Sequence, residues 1–182
     1  MSLADDVISY LETYLEIWQG PLAGTPFVVH PFQEHFIRGA LADGCKEAVY
    51  TAGRGNAKTT LCAGIACAAI DDLGPLHVPG ADILLIAASF DQGKLAFRHI
   101  VNFLEPYKDR FRIIDYSNKA EIHNRKSKAM LKVKGADAKK LHGGSEILTL
   151  ADEMAQWPPT RVDSMLSAIC YQRRELVSDP PV

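Results

Sequence analysis

The chain has 182 residues, of which 47% are hydrophobic and 23% are charged, and its formal net charge is −2. This length fits one globular domain or a little more, and the composition is ordinary for a protein with a sizeable core. No apolar run approaches the roughly 18 residues that a membrane-spanning helix requires, and the acidic start at 4–6 is not that of a signal peptide. The four cysteines show no CxxC spacing, which argues against a zinc or disulfide framework and favours free thiols.

The chain begins with two predicted helices. Apolar residues at helical spacing from Leu3 to Trp18 indicate an amphipathic helix, which Gly20-Pro21 would end. A second helix is predicted from Pro31 to Gly44, because proline is favoured in a first helical turn. We therefore interpret residues 1–24 as an N-terminal helix and linker, followed by a main domain at 25–182.

The main domain alternates predicted strands and helices. Ala48-Val49-Tyr50-Thr51 predicts a short buried strand, and the continuous apolar run 83–88 predicts a parallel strand covered on both faces. The other predicted elements are helices at 61–70, 91–104 and 160–174 and strands at 111–114, 121–123, 130–133 and 147–150. This alternation predicts a layered α/β domain with a mainly parallel sheet, in which ligands bind at the carboxyl ends of the strands.

The segment 53–60, between a predicted strand and a predicted helix, is a candidate phosphate-binding loop (P-loop). The backbone N–H groups of such a loop converge on phosphate oxygens, and the following helix adds the positive end of its dipole. Lys58 would reach the outer phosphates, and Thr59 would give its hydroxyl to Mg²⁺. The standard pattern GxxxxGK[ST] is not matched, because Ala52 and Ala57 stand where its glycines belong, so a glycine-rich turn that only caps a helix is the alternative. The other predicted cofactor-binding residues of the loop are Arg54, Gly55, Asn56, Ala57 and Thr60.

An acidic pair follows the last predicted strand. Asp152 would contact Mg²⁺ through the water shell of the ion, and Glu153 would orient or deprotonate an attacking water molecule. Taken alone, such a pair is usually only the polar start of a loop. Its occurrence downstream of the Lys58-Thr59 loop, after another strand and helix, favours a site that binds ATP and Mg²⁺.

Four segments together resemble the ATPase domain of tailed-phage terminase large subunits, over roughly residues 27–175. His30-Pro31-Phe32-Gln33 resembles the adenine-reading segment of the family. Residues 51–59 resemble its variant P-loop, which often lacks the standard glycines and often carries an arginine. Residues 86–92 resemble the next strand with its polar turn, and residues 135–153 resemble the stretch that enters the acidic strand.

The resemblance implies a three-layer P-loop NTPase domain of the ASCE/RecA-like type, preceded by a short helical extension. It implies an ATP-driven motor that moves double-stranded DNA into a capsid, as a ring docked on a portal protein and assisted by a small terminase subunit, in the cytoplasm of a bacterial host. Gln33 would bind the adenine edge and select ATP over GTP. Arg54 would sense or stabilise the γ-phosphate, and Lys58, Arg54 and Glu153 would be the catalytic residues.

The sequence departs from the family pattern at its end. The chain stops at Pro180-Pro181-Val182, about where a further core strand would begin, and the nuclease domain of the family is absent. We therefore expect a truncated ATPase domain that lacks the last strands of the sheet and does not cut DNA. The alternatives are a helicase-like remodelling ATPase, an inactive remnant that serves as an interaction module, and an unrelated α/β domain without a nucleotide.

The charge distribution is uneven. Residues 91–140 hold 13 Lys/Arg against 6 Asp/Glu, which gives +7, and the rest of the chain holds 7 against 16, which gives −9. A solvated charged surface is the ordinary explanation for such a run. With the family resemblance, the basic residues between Arg125 and Lys140 become candidates for contact with the DNA backbone.

Overall fold

The computed structural model describes residues 2–53, 55–136, 146–154 and 157. The helices are α1 (Leu3–Tyr14), α2 (Pro31–Ala40), α3 (Lys58–Ile70) and α4 (Phe90–Leu104), and a 3₁₀ segment (Glu105–Arg110) follows α4. The strands are β1 (Asp82–Ala87), β2 (Phe111–Asp115), β3 (Ala120–Asn124), β4 (Met130–Gly135) and β5 (Glu146–Ala151). The predicted helix at 160–174 lies outside the described residues.

The five strands form one sheet in the order β2-β3-β4-β1-β5. Strand β1 pairs in parallel with both β4 and β5, while β2, β3 and β4 pair antiparallel. The turns that join β2 to β3 and β3 to β4 are too short for a crossover connection, so these strands run antiparallel. The predicted layered α/β fold with a mainly parallel sheet is confirmed, and antiparallel strands, which were not predicted as such, extend one side of it.

One predicted strand is wrong. Residues 48–51 form neither strand nor helix, and they pair with no strand in the described part of the chain. Val49, which was expected to be buried, is 77% exposed. The segment has an apolar and β-branched local sequence, but it pairs with none of the described strands, including β5 at the end of the sheet order. The helix ends also differ from the prediction, because α1 stops at Tyr14 and α2 at Ala40.

Helix α3 is the most enclosed helix of the described residues. It is rich in alanine, and eight of its thirteen residues are buried. An added Cβ at Gly64 would lie 2.8 Å from Leu11 Cδ2, so glycine permits the close approach of α1. Val7, Leu11 and Leu15 belong to the same apolar core as α3, α4 and the sheet. The N-terminal helix therefore shares the core of the main domain, and the boundary at residue 25 stays a prediction.

The two faces of the sheet are covered differently. Ile83 and Leu85 point into the core formed with the helices, while Leu84 and Ile86 lie on the opposite face with Trp157. Trp157 is 3% exposed, so this second face also carries packed apolar side chains. Within the described ranges, no helix has the length and apolar character needed to cross a membrane.

A buried polar network holds the carboxyl end of α3. Asp71 accepts a hydrogen bond from the Tyr10 hydroxyl at 2.8 Å, and Arg110 forms ion pairs with both Asp71 and Asp72. Asn124 Nδ2 donates to the Ile70 carbonyl oxygen at 3.1 Å. Burial by itself would raise the pKa of Asp72, but hydrogen bonds from Lys126, Arg110 and Asn124 hold that pKa well below its usual range. The network ties α3 to α1 and to the antiparallel strands.

The loop after α1 is fastened to α4 by an aromatic contact. Trp18 Nε1 donates a hydrogen bond to His99 Nδ1 at 2.9 Å, and the two rings meet edge to face. Because an indole nitrogen only donates, His99 Nδ1 must be unprotonated. Partial burial lowers the pKa of His99 below its ordinary value of 6.5, although the charge of Asp152 acts in the opposite direction.

We expect His99 to make the stability of the fold depend on pH. Its pKa is lower in the folded chain than in the unfolded chain, so its contribution is fully present above about pH 6.5 and is lost as the pH falls below that value. Denaturant unfolding at about pH 7.5 and about pH 5.5 measures the loss. His99→Gln is the control, since its amide oxygen can accept from Trp18 without titrating. An equal loss of unfolding free energy in the wild type and the variant would contradict this assignment.

Candidate functional site

The candidate site lies at the carboxyl edge of the parallel strands. Strands β1 and β5 run side by side, and the backbone N–H of Asp152 donates to the Ile86 carbonyl oxygen at 2.8 Å. This hydrogen bond places the acidic pair directly beyond the end of β5. Helix α3 begins at Lys58, with its first turn facing the same edge.

The two predicted motifs are in contact. Thr59 Oγ1 donates a hydrogen bond to Asp152 Oδ2 at 3.1 Å, although 93 positions separate the residues in the chain. The other carboxylate oxygen of Asp152 accepts from the backbone N–H of Glu153 at 3.0 Å. Asp152 is half-buried, and Glu153 is exposed to solvent. The fold therefore brings a hydroxyl, a carboxylate and a second, solvent-facing carboxylate to one place.

The loop before α3 is folded onto its own lysine. Lys58 Nζ donates to the carbonyl oxygens of Ala52 at 2.8 Å and Gly53 at 3.0 Å. Asn56 Nδ2 also donates to the Gly53 carbonyl oxygen, at 3.1 Å. The ammonium group thus lies over the loop in which a polyphosphate would be held. Thr60 follows in the first turn of α3, and Arg54 lies outside the described residues.

Left-handed backbone occurs at both motifs. Gly55 has a φ of +84°, Ala57 has a φ of +51° as the N-cap residue of α3, and Glu153 has a φ of +49°. Glycine adopts this conformation without strain, whereas alanine and glutamate pay a steric cost of about 1–3 kcal/mol each. Ala57 therefore occupies the glycine position of the standard pattern in the conformation that glycine would adopt.

The chain offers oxygen ligands suited to Mg²⁺. Adjacent oxygen ligands of an octahedral Mg²⁺ ion lie about 3 Å apart, given metal–oxygen distances of about 2.1 Å. The 3.1 Å between Thr59 Oγ1 and Asp152 Oδ2 fits that requirement. Magnesium is usually held by one or two protein oxygens together with phosphates and water. Thr59 directly, and Asp152 directly or through a water molecule of the ion, could supply the protein's share of such a site.

A thiol lies beside these oxygens. Cys62 follows Thr59 by one turn of α3, and desolvation raises the pKa of its thiol to about 12, with a further rise from the negative charge of Asp152. A thiol with so high a pKa is a poor nucleophile at neutral pH. Cys62 packs against the apolar core beside the site, where desolvation and the charge of Asp152 both disfavour its thiolate.

The predicted base-reading residue makes its hydrogen bond within the first turn of its own helix. Gln33 is 1% exposed, and its Oε1 accepts the backbone N–H of His30 at 3.0 Å, which caps the first turn of α2. A cavity of about 660 Å³ lies between α2 and residues 45–52, and we name it the α2 cavity. The side chains and backbone that line it include Phe32, Phe36, Gly39, Tyr50, Ala52 and Asn56, whereas Gln33 is not among the lining residues.

Comparison with known proteins shows the family. A family model described as "Terminase large subunit, ATPase domain" matches residues 34–175. The chain is 32% identical over 163 residues to "Terminase, large subunit" of Enterobacteria phage HK97, a match that covers 86% of this chain and 31% of that relative. The crystal structure of the HK97 bacteriophage large terminase superposes with a TM-score of 0.77 and 26% identity, covering 94% of this chain and 36% of that chain.

The mixed α/β fold described above is that of a terminase ATPase domain. The chain belongs to the terminase large subunit family and corresponds to its ATPase domain. It spans 31% of the length of the HK97 relative.

We expect glycine at position 57 to stabilise the chain, which is the opposite of its usual effect in a helix. Ala57→Gly should raise the free energy of unfolding by about 1 kcal/mol, because glycine removes the steric cost of the left-handed conformation. Ala57→Val should lower it by more than that, since a β-branched side chain tolerates this conformation least. Denaturant unfolding of the variants measures both changes.

Ala63→Gly provides the matched control for Ala57→Gly. Ala63 lies inside α3 and is buried, so the same substitution there should destabilise the chain by about 1–2 kcal/mol, through the lower helix propensity of glycine and the loss of a buried methyl group. If glycine destabilises equally at both positions, the left-handed conformation of Ala57 is not a property of the chain in solution.

Proposed function

We propose that this chain binds and hydrolyses ATP with Mg²⁺, and that hydrolysis drives translocation of double-stranded DNA into a viral capsid. The observation that carries the proposal is the hydrogen bond between Thr59 and Asp152. It joins the end of a lysine-threonine loop to the end of an apolar strand, which is the arrangement that a P-loop ATPase needs to hold Mg²⁺ against a polyphosphate. Membership of the terminase family supports the same assignment.

Each residue of the site has a role in this proposal. The N-terminus of α3 and the backbone of 53–57 would bind the β- and γ-phosphates, with Lys58 released from its carbonyl partners to contact them. Thr59 and Asp152 would hold Mg²⁺, which neutralises the charge that develops on the phosphates. Glu153 would orient or deprotonate the attacking water, and Arg54 would stabilise the γ-phosphate.

The proposed partners follow from the family. They are double-stranded DNA, a portal protein and a small terminase subunit, with the ATPase domains assembled as a ring in the cytoplasm of a bacterial host. Of the basic residues that were candidates for DNA contact, Lys139 and Lys140 lie outside the described residues, and the others occupy two places. Arg125, Lys126 and Lys128 lie in the turn between β3 and β4, while Lys132 and Lys134 lie on β4 itself. The turn residues are exposed, so we propose the turn as the first point of contact with phosphates.

We expect calorimetric titration to show binding of MgATP to the wild-type chain and no binding to Lys58→Ala. The loss follows because Lys58 supplies the point charge for the outer phosphates. Glu153→Gln is the matched control, since it should bind MgATP within about threefold of the wild type yet reduce turnover by at least about a hundredfold. Far-UV circular dichroism establishes that each variant is folded. A folded wild-type chain that binds no nucleotide would favour the alternative of an inactive interaction module.

We expect DNA binding to weaken steeply with salt. Each contact between a cation and a phosphate adds about 0.9 to the slope of log affinity against log salt concentration. Replacing Arg125, Lys126 and Lys128 together by glutamine should therefore lower the slope measured by fluorescence anisotropy by about 2 to 3. Replacing the exposed Lys46, Lys108 and Lys119 by glutamine removes the same charge elsewhere and serves as the control. Equal slopes for the two triple variants would exclude the turn as a specific contact.

A further inference from the structure

The turn between β3 and β4, which we name the basic turn (residues 125–128), lies at the edge of the sheet opposite to the candidate nucleotide site. The turn leads into the amino end of β4. Strand β4 runs parallel to β1, and β1 runs parallel to β5, whose carboxyl end carries Asp152. The cations of the basic turn are therefore separate from Lys58, and DNA binding to the turn can be measured without a nucleotide.

Hydrogen bonds fasten the backbone of the basic turn to the residues at the end of α3. The Asn124 side chain is 1% exposed, and its Oδ1 accepts the backbone N–H groups of Lys126 and Ser127, each at 3.0 Å. Its Nδ2 donates to the Ile70 carbonyl oxygen and to Asp72 Oδ1, both at 3.1 Å. One buried side chain thus joins the turn to α3, so the cations extend from backbone positions that are held in place.

The three cations of the basic turn differ in their partners. Lys126 Nζ forms an ion pair with Asp72 Oδ2 at 2.9 Å. Arg125 Nε donates to the Phe111 carbonyl oxygen at 3.0 Å, and Lys128 Nζ donates to the Arg125 carbonyl oxygen at 2.7 Å. Within the part of the chain that the structure describes, neither Arg125 nor Lys128 forms an ion pair. Of the three positive charges, only that of Lys126 is paired with a described carboxylate.

Asp72 keeps other partners when Lys126 leaves it. Arg110 forms an ion pair with the same carboxylate, and Asn124 donates to its Oδ1. The Lys126 side chain is 82% exposed, whereas that of Asp72 is 9% exposed. A lysine ammonium group sits on a flexible stem of four carbons. Lys126 can therefore turn toward an approaching anion while the carboxylate stays in place with Arg110 and Asn124.

A DNA phosphate offers Lys126 the same kind of partner that Asp72 does. Both groups present anionic oxygens, and both form charge-assisted hydrogen bonds with an ammonium group. When Lys126 binds a phosphate, it gives up its ion pair with Asp72. When Lys128 binds a phosphate, it gives up only a neutral carbonyl oxygen. The gain in free energy from a phosphate contact is therefore smaller at Lys126 than at Lys128.

We infer that Asp72 competes with DNA phosphates for Lys126 and thereby weakens the binding of DNA to the basic turn. The inference rests on the proposed function, because it requires the turn to contact the phosphate backbone. It gives Asp72 the role of an internal competitor. A protein that moves along DNA must release each phosphate that it binds, and an internal carboxylate that takes back the lysine makes this release easier.

Fluorescence anisotropy with a labelled DNA duplex, in the absence of nucleotide, tests the competition. We expect Asp72→Asn to bind the duplex more tightly than the wild type by at least about 1.5- to 5-fold, the range that one exposed ion pair supplies. Asparagine retains an oxygen that can accept from Asn124 and lacks the charge that holds Lys126. An unchanged or lower affinity of the folded variant would overturn the inference.

Two lysine backgrounds separate the competition from a general effect of net charge. Lys126→Gln and Lys128→Gln remove the same charge from the same turn, but only Lys126 contacts Asp72. The gain from Asp72→Asn should be about 1.5- to 5-fold smaller in the Lys126→Gln background than in the Lys128→Gln background. Repulsion between Asp72 and the phosphates acts in both backgrounds, so the ratio of the gains reports the competition. Equal gains would overturn the inference.

A second comparison leaves the buried network around Asp72 unchanged in sequence. Lys126→Gln should lower the affinity for the duplex by a factor about 1.5 to 5 times smaller than Lys128→Gln does, because only Lys126 gives up an ion pair on binding. Denaturant unfolding establishes that each variant is folded. A loss for Lys126→Gln that equals or exceeds the loss for Lys128→Gln would overturn the inference, even if Asp72→Asn does not fold.

Failure of the proposed DNA contact gives a different result. If Arg125→Gln, Lys126→Gln and Lys128→Gln each bind the duplex as tightly as the wild type, the basic turn does not contact DNA, and the proposed contact and the inference are both wrong. If the two lysine variants weaken binding but Asp72→Asn gives equal gains in both backgrounds, the contact stands and only the competition is wrong.

Discussion

The close packing of α3 is the constraint on which the rest of the structure depends. Its alanine-rich surface lets α1, α4 and the sheet approach on several sides, and Gly64 leaves just enough room for Leu11. Its carboxyl end is held by Asp71 and Asp72 in a buried network. A helix enclosed in this way cannot shift without disrupting the core, because protein interiors are close-packed. The first turn of α3 therefore has a fixed position relative to the sheet.

That fixed position creates the candidate site. Thr59 meets Asp152 because α3 starts at the edge where β1 and β5 end, and parallel strands bring their carboxyl ends to the same side. Strained backbone at Ala57 and Glu153 is kept on either side of this contact. Such strain persists where the surrounding packing determines the conformation, as the enclosure of α3 does here. The site is thus a product of core packing more than of the loop residues alone.

The sequence predicted the regular elements well where the local pattern and the tertiary environment agree. The apolar run of β1, the amphipathic α4 and the three short strands before β5 all occur near their predicted positions. The prediction of a strand at 48–51 failed because a local preference for strand is realised only by pairing with a neighbour, and this segment pairs with none of the described strands. Because Tyr50 was assigned to this buried strand, its position in the lining of the α2 cavity was not predicted.

By itself, the sequence determined the fold class and the pairing of a lysine-threonine loop with an acidic strand end, because these depend on periodicity and on residue types at fixed spacing. It indicated the family through the resemblance of four segments to terminase ATPase domains. Only the tertiary structure decided which groups face each other. It brought Thr59 to Asp152 and opened a cavity beside Tyr50. This contact and this cavity arise between segments that lie apart in the chain, and no local pattern encodes them.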